Sequence, residues 1–226
     1  MRATGVLRIL VALFTIATTW LFASTYFSHT GMKSINVKKW LRSHIEPKQT
    51  PITQNKCSNR RLCPEHTFAF RIVSGAANVV GPSICFDGNV LMSNVKNNVG
   101  RGLNVALVNG TTGQLIKIDS FDMYSGDVNN LLNFMKAADQ GTLVLVASYD
   151  DPATKLNDEA RKLFTDLGSS HASDLAFRDN WIFLGGKGLK HKSPFEQYLK
   201  NNEKTNKYDG WPEVLEMEGC VPKKIE

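Results

Sequence analysis

The sequence contains four cysteines, Cys57, Cys63, Cys85 and Cys220, and all of them lie downstream of an apolar N-terminal segment. In an oxidising compartment, an even number of cysteines is typical of disulfides. Four cysteines permit three pairings, and the sequence alone does not choose among them. Cys57 and Cys63 have five residues between them, which is wider than the roughly two to four of zinc-ligand pairs. We therefore predict two disulfides, no metal site and a tie from Cys220 back towards the start of the domain.

The N-terminus indicates the compartment. Arg2 and Arg8 precede residues 9–23, an uncharged apolar run, and this order is typical of a signal peptide. The run is shorter than the roughly 20 apolar residues that span a bilayer comfortably. We predict a signal peptide over residues 1–25 and a secreted, extracellular protein. A retained type II membrane anchor is the alternative.

The length of 226 residues suits one domain with appendages, because domains usually contain about 100–200 residues. Pro47, Pro51 and scattered charges without periodicity predict a flexible linker or tail over residues 26–55, with a brief helix at 38–41. We predict the folded domain over residues 56–224.

The charge pattern does not indicate nucleic-acid binding. The net charge of +6 falls to about +4 without Arg2 and Arg8. Basic residues are not interleaved with aromatic ones, and the basic stretch at residues 187–192 is interpreted as a solvated loop. We therefore expect no nucleic-acid partner.

The hydrophobic pattern predicts a mixed fold. Residues 142–148 form a nearly continuous apolar run, as in a strand covered on both faces. Asp127 is expected to cap a helix over residues 128–138, and Asn157 or Asp158 to begin a second helix that ends before Gly168. Strand patterns occur at residues 68–73, 84–86, 90–92, 103–108, 114–118, 142–148 and 181–184, the second to fifth of them as two hairpins. Without a regular βαβ alternation, this pattern predicts an α+β fold with largely antiparallel pairing.

No familiar catalytic motif occurs in the sequence. It lacks a nucleophile elbow, a zinc-protease helix and a phosphate loop, and its five histidines are scattered. We therefore predict a protein that is not an enzyme and needs no cofactor. Asp150 and Asp151 end the apolar run, where they form either a turn or a site, and Arg178-Asp179 is either an internal ion pair or a fork onto ligand hydroxyls.

Asn109-Gly110-Thr111 is an N-glycosylation sequon at a predicted hairpin tip. In a secreted chain Asn109 is a candidate glycosylation site. The alternative is an Asn-Gly turn selected only for positive φ.

Several segments together resemble the cytokine-like "family with sequence similarity three", which includes pancreatic-derived factor and the interleukin-like inducer of epithelial–mesenchymal transition. The resemblance covers essentially residues 57–222. Its motifs are SGAANVVGP at 74–82, NNVGRGLN at 97–104, FDM at 121–123 with GDV at 126–128, SYDDPATK at 148–155, FRDNW at 177–181, KSPFEQ at 192–197, and GWPE at 210–213 with EGC at 218–220.

The resemblance implies a compact fold of two packed antiparallel sheets with flanking helices. It also implies the disulfide pairing Cys57–Cys85 and Cys63–Cys220. No departure from the family pattern touches a cysteine.

The same domain type resembles the stem lectin-like domain of protein O-mannose N-acetylglucosaminyltransferase. That likeness implies carbohydrate-binding roles for Arg101, Asp150 and Arg178, since two guanidinium forks and one acceptor can read vicinal hydroxyls. Trp181 is expected to form a neighbouring apolar wall. The alternative is that the three residues form an internal Arg–Asp–Arg network that holds loops together.

The resemblance and the signal peptide together predict a secreted signalling protein that acts through a cell-surface receptor without catalysis. A carbohydrate-binding module that recognises glycans on receptors or matrix is the alternative, and the two functions are compatible. With four cysteines paired, a monomer is expected, although an exchanged disulfide would permit covalent dimers.

Overall fold

The computed structural model describes residues 3–29 and 55–223, with side chains from residue 8 to residue 26 in the first range. The chain divides into two units, Met1–Thr53 and Gln54–Glu226. The brief helix predicted at residues 38–41 and most of the predicted linker lie outside the described residues.

The first unit contains one described helix, α1 (Ala3–His29). Its stretch Arg8–Tyr26 has a mean hydropathy of 1.7 and is long and apolar enough to cross a membrane, although a signal sequence has the same properties. The helical apolar stretch is thus longer than the run predicted at residues 9–23. It is compatible with both the predicted signal peptide and the alternative anchor.

The second unit contains nine strands and two α-helices among residues 55–223. The strands are β1 (Thr67–Val73), β2 (Ser83–Phe86), β3 (Asn89–Met92), β4 (Gly102–Asn109), β5 (Leu115–Phe121), β6 (Thr142–Tyr149), β7 (Asn180–Gly186), β8 (Phe195–Leu199) and β9 (Glu216–Pro222). The helices are α2 (Val128–Met135) and α3 (Asp158–Asp166), with short 3-10 turns at Lys56–Ser58 and Asn94–Lys96.

The strands form two antiparallel sheets. One has four strands in the order β3-β2-β1-β9, and the other has five in the order β5-β4-β6-β7-β8. The α+β fold with two packed sheets and flanking helices is therefore confirmed.

The core lies on both faces of the five-stranded sheet, because alternate side chains of a strand point in opposite directions. Leu103 and Val105 of β4 pack with residues of the two helices, whereas Ala106 and Val108 pack with residues of the four-stranded sheet. The domain thus has three layers, and β6 is covered on both faces as its apolar run predicts.

The local signals account for most of the elements. Asp127 accepts a hydrogen bond from Asn129 N at 2.9 Å and caps α2, and Asn157 accepts one from Ala160 N at 2.9 Å and caps α3. The predicted hairpins form as β2–β3 and β4–β5. Helix α2 ends at Met135, three residues before the predicted limit.

Two disulfides, Cys57–Cys85 and Cys63–Cys220, have the pairing that the family resemblance implies. The second joins the start of the domain to β9 across a sequence separation of 157 residues. A link this long removes about 5 kcal/mol of conformational freedom from the unfolded chain in the entropic model.

Candidate functional site

Sheet topology places the three candidate sugar-reading residues at one end of three adjacent strands. Arg101 immediately precedes β4, Asp150 immediately follows β6 and Arg178 lies two residues before β7. Strand β6 pairs antiparallel with both β4 and β7, and Gly102 is opposite Tyr149. The beginnings of β4 and β7 therefore lie beside the end of β6.

Arg101 is held by an acid that follows β5. Its Nε and Nη2 donate to the two carboxylate oxygens of Asp122 at 3.1 and 2.7 Å, and Nη2 also donates to the Ser125 hydroxyl at 3.0 Å. The hydrogen bond from Arg101 holds the pKa of Asp122 well below its usual range, although burial opposes the shift. Arg101 is thus oriented and paired within the protein itself.

A glycine makes this arrangement sterically accessible. Gly102 has φ +101°, and a Cβ atom there would lie 2.0 Å from the carbonyl oxygen of Phe121. The start of β4 can therefore approach the end of β5 only without a side chain at residue 102. This close approach brings Arg101 beside Asp122.

Asp150 is held by a tryptophan from a distant part of the chain. Its Oδ1 accepts a hydrogen bond from Trp211 Nε1 at 3.0 Å, and its φ of 61° is left-handed. In the part of the chain that the structure describes, Oδ2 has no partner. The pKa of Arg101 is raised by its hydrogen bond to Asp122 and further by the charges of Asp122 and Asp150, so Asp150 lies within electrostatic reach of Arg101.

Arg178 lies against aromatic rings rather than against an acid. Its guanidinium carbon is 3.9 Å from the centroid of the Trp211 ring and 4.8 Å from that of Phe177. Its backbone φ is 59°, and its backbone N donates to Asp151 Oδ1 at 3.3 Å. No side-chain nitrogen of Arg178 bonds to a described residue, and Nε is buried.

Two unpaired buried polar atoms lie at this end of the sheet. Among residues 8–26 and 55–223, four buried side-chain nitrogen or oxygen atoms have no hydrogen-bond partner. Two of the four are Arg178 Nε and Oδ2 of the fully buried Asp151. Such atoms are uncommon in folded proteins, and two neighbours of this kind favour a site that admits water or a ligand.

Exposed aromatic rings connect the two arginines. Tyr124 is 48% exposed and Phe177 is 46% exposed, and their centroids are 6.3 Å apart. Tyr124 also lies under Arg101, at 4.8 Å from its guanidinium carbon. The side chains Arg101, Tyr124, Phe177, Arg178, Trp211 and Asp150 therefore form one connected surface, here called the arginine–aromatic cluster.

The prediction that Trp181 forms an apolar wall beside the site is wrong. Trp181 is fully buried, stacks with Phe183 and donates through Nε1 to Glu196 Oε1 at 2.8 Å, so it belongs to the core. Trp211 takes that place, because it contacts both Asp150 and Arg178. The GWPE segment is part of a family motif, but the sequence alone gives Trp211 no role at the site, since it lies 33 residues beyond Arg178.

The three candidate residues also do not form the internal Arg–Asp–Arg network that was the alternative. Among the described residues, Arg101, Asp150 and Arg178 make no ion pair with one another. Arg101 uses Asp122 instead, and Asp150 uses Trp211.

The sequon residue Asn109 is exposed at the end of β4. Its Oδ1 accepts hydrogen bonds from the backbone nitrogens of Thr111 and Thr112, both at 2.9 Å. Asn109 lies at the end of β4 opposite to the end that Arg101 precedes.

Comparison with known proteins identifies the domain type. The family model described as interleukin-like EMT inducer matches residues 101–189, a range that contains Arg101, Asp150 and Arg178. The chain is 59% identical to Protein FAM3D of Mus musculus over 100% of both chains. It is 58% identical to Protein FAM3D of Homo sapiens and 54% identical to Protein FAM3C of Danio rerio, with 99% of each chain covered. The chain therefore belongs to the cytokine-like FAM3 family.

Proposed function

We propose that the chain is a secreted signalling protein that acts through a cell-surface receptor without catalysis. Membership of a cytokine-like family is the observation that carries this proposal. The N-terminal apolar helix and the two disulfides support export into an oxidising compartment.

The first test is the intact mass of protein collected from the medium of expressing mammalian cells. A species that begins near residue 25 and is about 4 Da lighter than its reduced form supports a cleaved signal peptide and two disulfides. Saturable binding of that material to responsive cells, competed by the unlabelled protein, supports a receptor. Protein that stays with the cells and keeps its N-terminus contradicts secretion and supports the anchor.

A carbohydrate-binding function is the second candidate, and the arginine–aromatic cluster favours it. Protein sites for sugars combine an aromatic face with planar hydrogen-bonding groups that read hydroxyls. Tyr124 and Phe177 offer exposed rings, Arg178 offers unpaired donors and Asp150 offers an unpaired acceptor. This function is compatible with receptor binding, since receptors and matrix are glycosylated.

Glycan-array binding of the wild type and of Arg178→Ala tests this second function. Arg61→Ala is the matched control, because Arg61 is an exposed arginine outside the cluster. Loss of binding in Arg178→Ala but not in Arg61→Ala supports the site. Equal losses in both variants would indicate nonspecific charge attraction.

The sequon supports a further proposal, that Asn109 carries an N-linked glycan. Asn109 is exposed, and its amide nitrogen donates no hydrogen bond to a described residue. A mass shift that is removed by an amidase specific for N-glycans and is absent in Asn109→Gln supports modification. An unshifted mass in secreted protein contradicts it.

A further inference from the structure

The two arginines of the cluster differ in what remains for a ligand to bind. Arg101 gives Nε and Nη2 to Asp122 and Ser125. Arg178 gives none of its five side-chain N–H donors to a described residue, and its Nε is buried. In the free protein water can satisfy the donors of Nη1 and Nη2, and a ligand oxygen can replace that water.

The charge of Arg178 is not neutralised by the acids around it. Asp122 is paired with Arg101, and Oδ1 of Asp150 accepts from Trp211. Asp151 faces the backbone nitrogen of Arg178 and has no ion pair with its side chain. The guanidinium therefore presents a positive charge beside the rings of Trp211 and Phe177, where its planar fork matches a carboxylate.

The neighbouring carboxylate restricts what kind of anion fits. Asp150 repels a densely charged anion, but its Oδ2 can accept a hydrogen bond from a hydroxyl. A ligand that complements both groups carries one carboxylate and several hydroxyls. Asp150 and Arg178 both have left-handed φ values, of 61° and 59°, so the surrounding structure holds both in backbone conformations that non-glycine residues adopt rarely.

We infer that the Arg178 side of the cluster binds a sugar residue that carries a carboxylate, as sialic and uronic acids do. The carboxylate pairs with the Arg178 fork, a hydroxyl donates to Asp150 Oδ2, and Trp211 holds both protein groups in place. This inference rests on the proposed carbohydrate-binding function and names its ligand class.

The test compares matched acidic and neutral sugars by calorimetry or NMR titration. The pairs are 3′-sialyllactose with lactose, and a methyl glucuronide with the corresponding methyl glucoside. The wild type is expected to bind at least one acidic member about tenfold or more tightly than its neutral partner, and the pair that shows this distinguishes sialic from uronic acid. Arg178→Gln is expected to abolish the preference, and Arg178→Lys, which keeps the charge without the fork, to reduce it. Arg61→Gln is expected to leave it intact.

Neutral and acidic sugars that bind equally through Arg178 and Asp150 would overturn this inference and leave the carbohydrate-binding function standing. Failure of all four sugars to bind would overturn this inference, whereas the glycan array decides whether the carbohydrate-binding function stands. A preference for acidic sugars that survives Arg178→Gln would place the carboxylate elsewhere and contradict the assignment. If Arg178→Gln does not fold, Arg178→Lys alone still tests the fork.

Discussion

The two sides of the arginine–aromatic cluster use the same side chain in opposite ways. On the Arg101 side, a guanidinium is bonded to Asp122 and Ser125 within the domain. On the Arg178 side, a guanidinium lies on Trp211 with its donors unpaired. An arginine in a family motif can thus be a support or a ligand-binding group, and its hydrogen-bond partners distinguish the two.

Each side also has a glycine that permits the approach of its arginine, with different consequences. The missing Cβ of Gly102 would meet backbone, the Phe121 carbonyl oxygen at 2.0 Å. The missing Cβ of Gly210 would meet the flexible end of a side chain, Arg178 Nη1 at 2.9 Å. A side chain added at residue 102 would therefore displace backbone of the sheet. A side chain added at residue 210 would displace only the end of the Arg178 side chain.

The largest expected effect is a loss of stability when the glycine on the Arg101 side is replaced. Gly102→Ala forces a positive φ on alanine and a backbone collision, so we expect a loss of about 2–5 kcal/mol in the free energy of unfolding. Denaturant unfolding measures this loss. Gly141→Ala is the matched control, since Gly141 has φ +83° with nothing within 4 Å, and about 1 kcal/mol is expected there. Equal losses in the two variants would contradict the close approach at Gly102.

The second effect concerns Trp211. Trp211→Ala removes both the hydrogen bond to Asp150 and the ring beneath Arg178, so we expect ligand affinity to fall about 30-fold or more. Trp211→Phe keeps a ring without the N–H donor, and a loss of about tenfold is expected. Titration with the best ligand found on the array measures both. An unchanged affinity in Trp211→Ala would remove Trp211 from the site.

The third prediction compares unfolding free energy with ligand affinity in one variant from each side. Asp122→Asn weakens a pair whose side chains are 39% and 34% exposed, so we expect a loss of about 1 kcal/mol or less in unfolding free energy and less than about threefold in affinity. Arg178→Gln is expected to lose the ligand affinity, and its lost ring contacts are expected to lower the free energy of unfolding by about 1 kcal/mol. Thermal unfolding and titration of both variants check this. A large affinity loss in Asp122→Asn with Arg178→Gln unaffected would reverse the roles of the two sides.

The smallest effect is the response to pH. Because the pKa of Asp122 is lowered in the folded protein, the pair with Arg101 stabilises the domain above the ordinary carboxyl pKa of about 3.9. That contribution is lost only as the pH falls further, towards the lowered pKa. From pH 7 to pH 5 we therefore expect no change in stability from this pair, and Asp122→Asn should match the wild type in the slope of stability against pH. A slope that differs between the two over this range would contradict the lowered pKa.

Sequence predicted the fold well where short-range signals act. Capping by Asp127 and Asn157, the turn at Asp87-Gly88 and the apolar run of β6 each depend on residues close in the chain. Strands β8 and β9 were not predicted. Strand β8 is half-buried throughout without alternation, and β9 contains Gly219 and two glutamates and lies at a sheet edge.

The candidate site was predictable only in part, because its partners are distant in sequence. Family motifs indicated Arg101, Asp150 and Arg178, but the partners that separate their roles are Asp122 and Trp211. Trp211 is 61 residues from Asp150, and no periodicity connects them. Trp181 is close to Arg178 in sequence, but it lies in β7, which is buried on both faces, so its side chain belongs to the core.

NMR of arginine Nε–H groups during titration with 3′-sialyllactose tests whether Arg178 meets the ligand while Arg101 supports the site. Arg101→Lys and Arg178→Lys assign the two signals. We predict that the Arg178 signal shifts and saturates, because its Nε has no partner in the protein, whereas the Arg101 signal stays close to its starting position in its bond to Asp122. A saturating shift of Arg101 with Arg178 unmoved would contradict the claim.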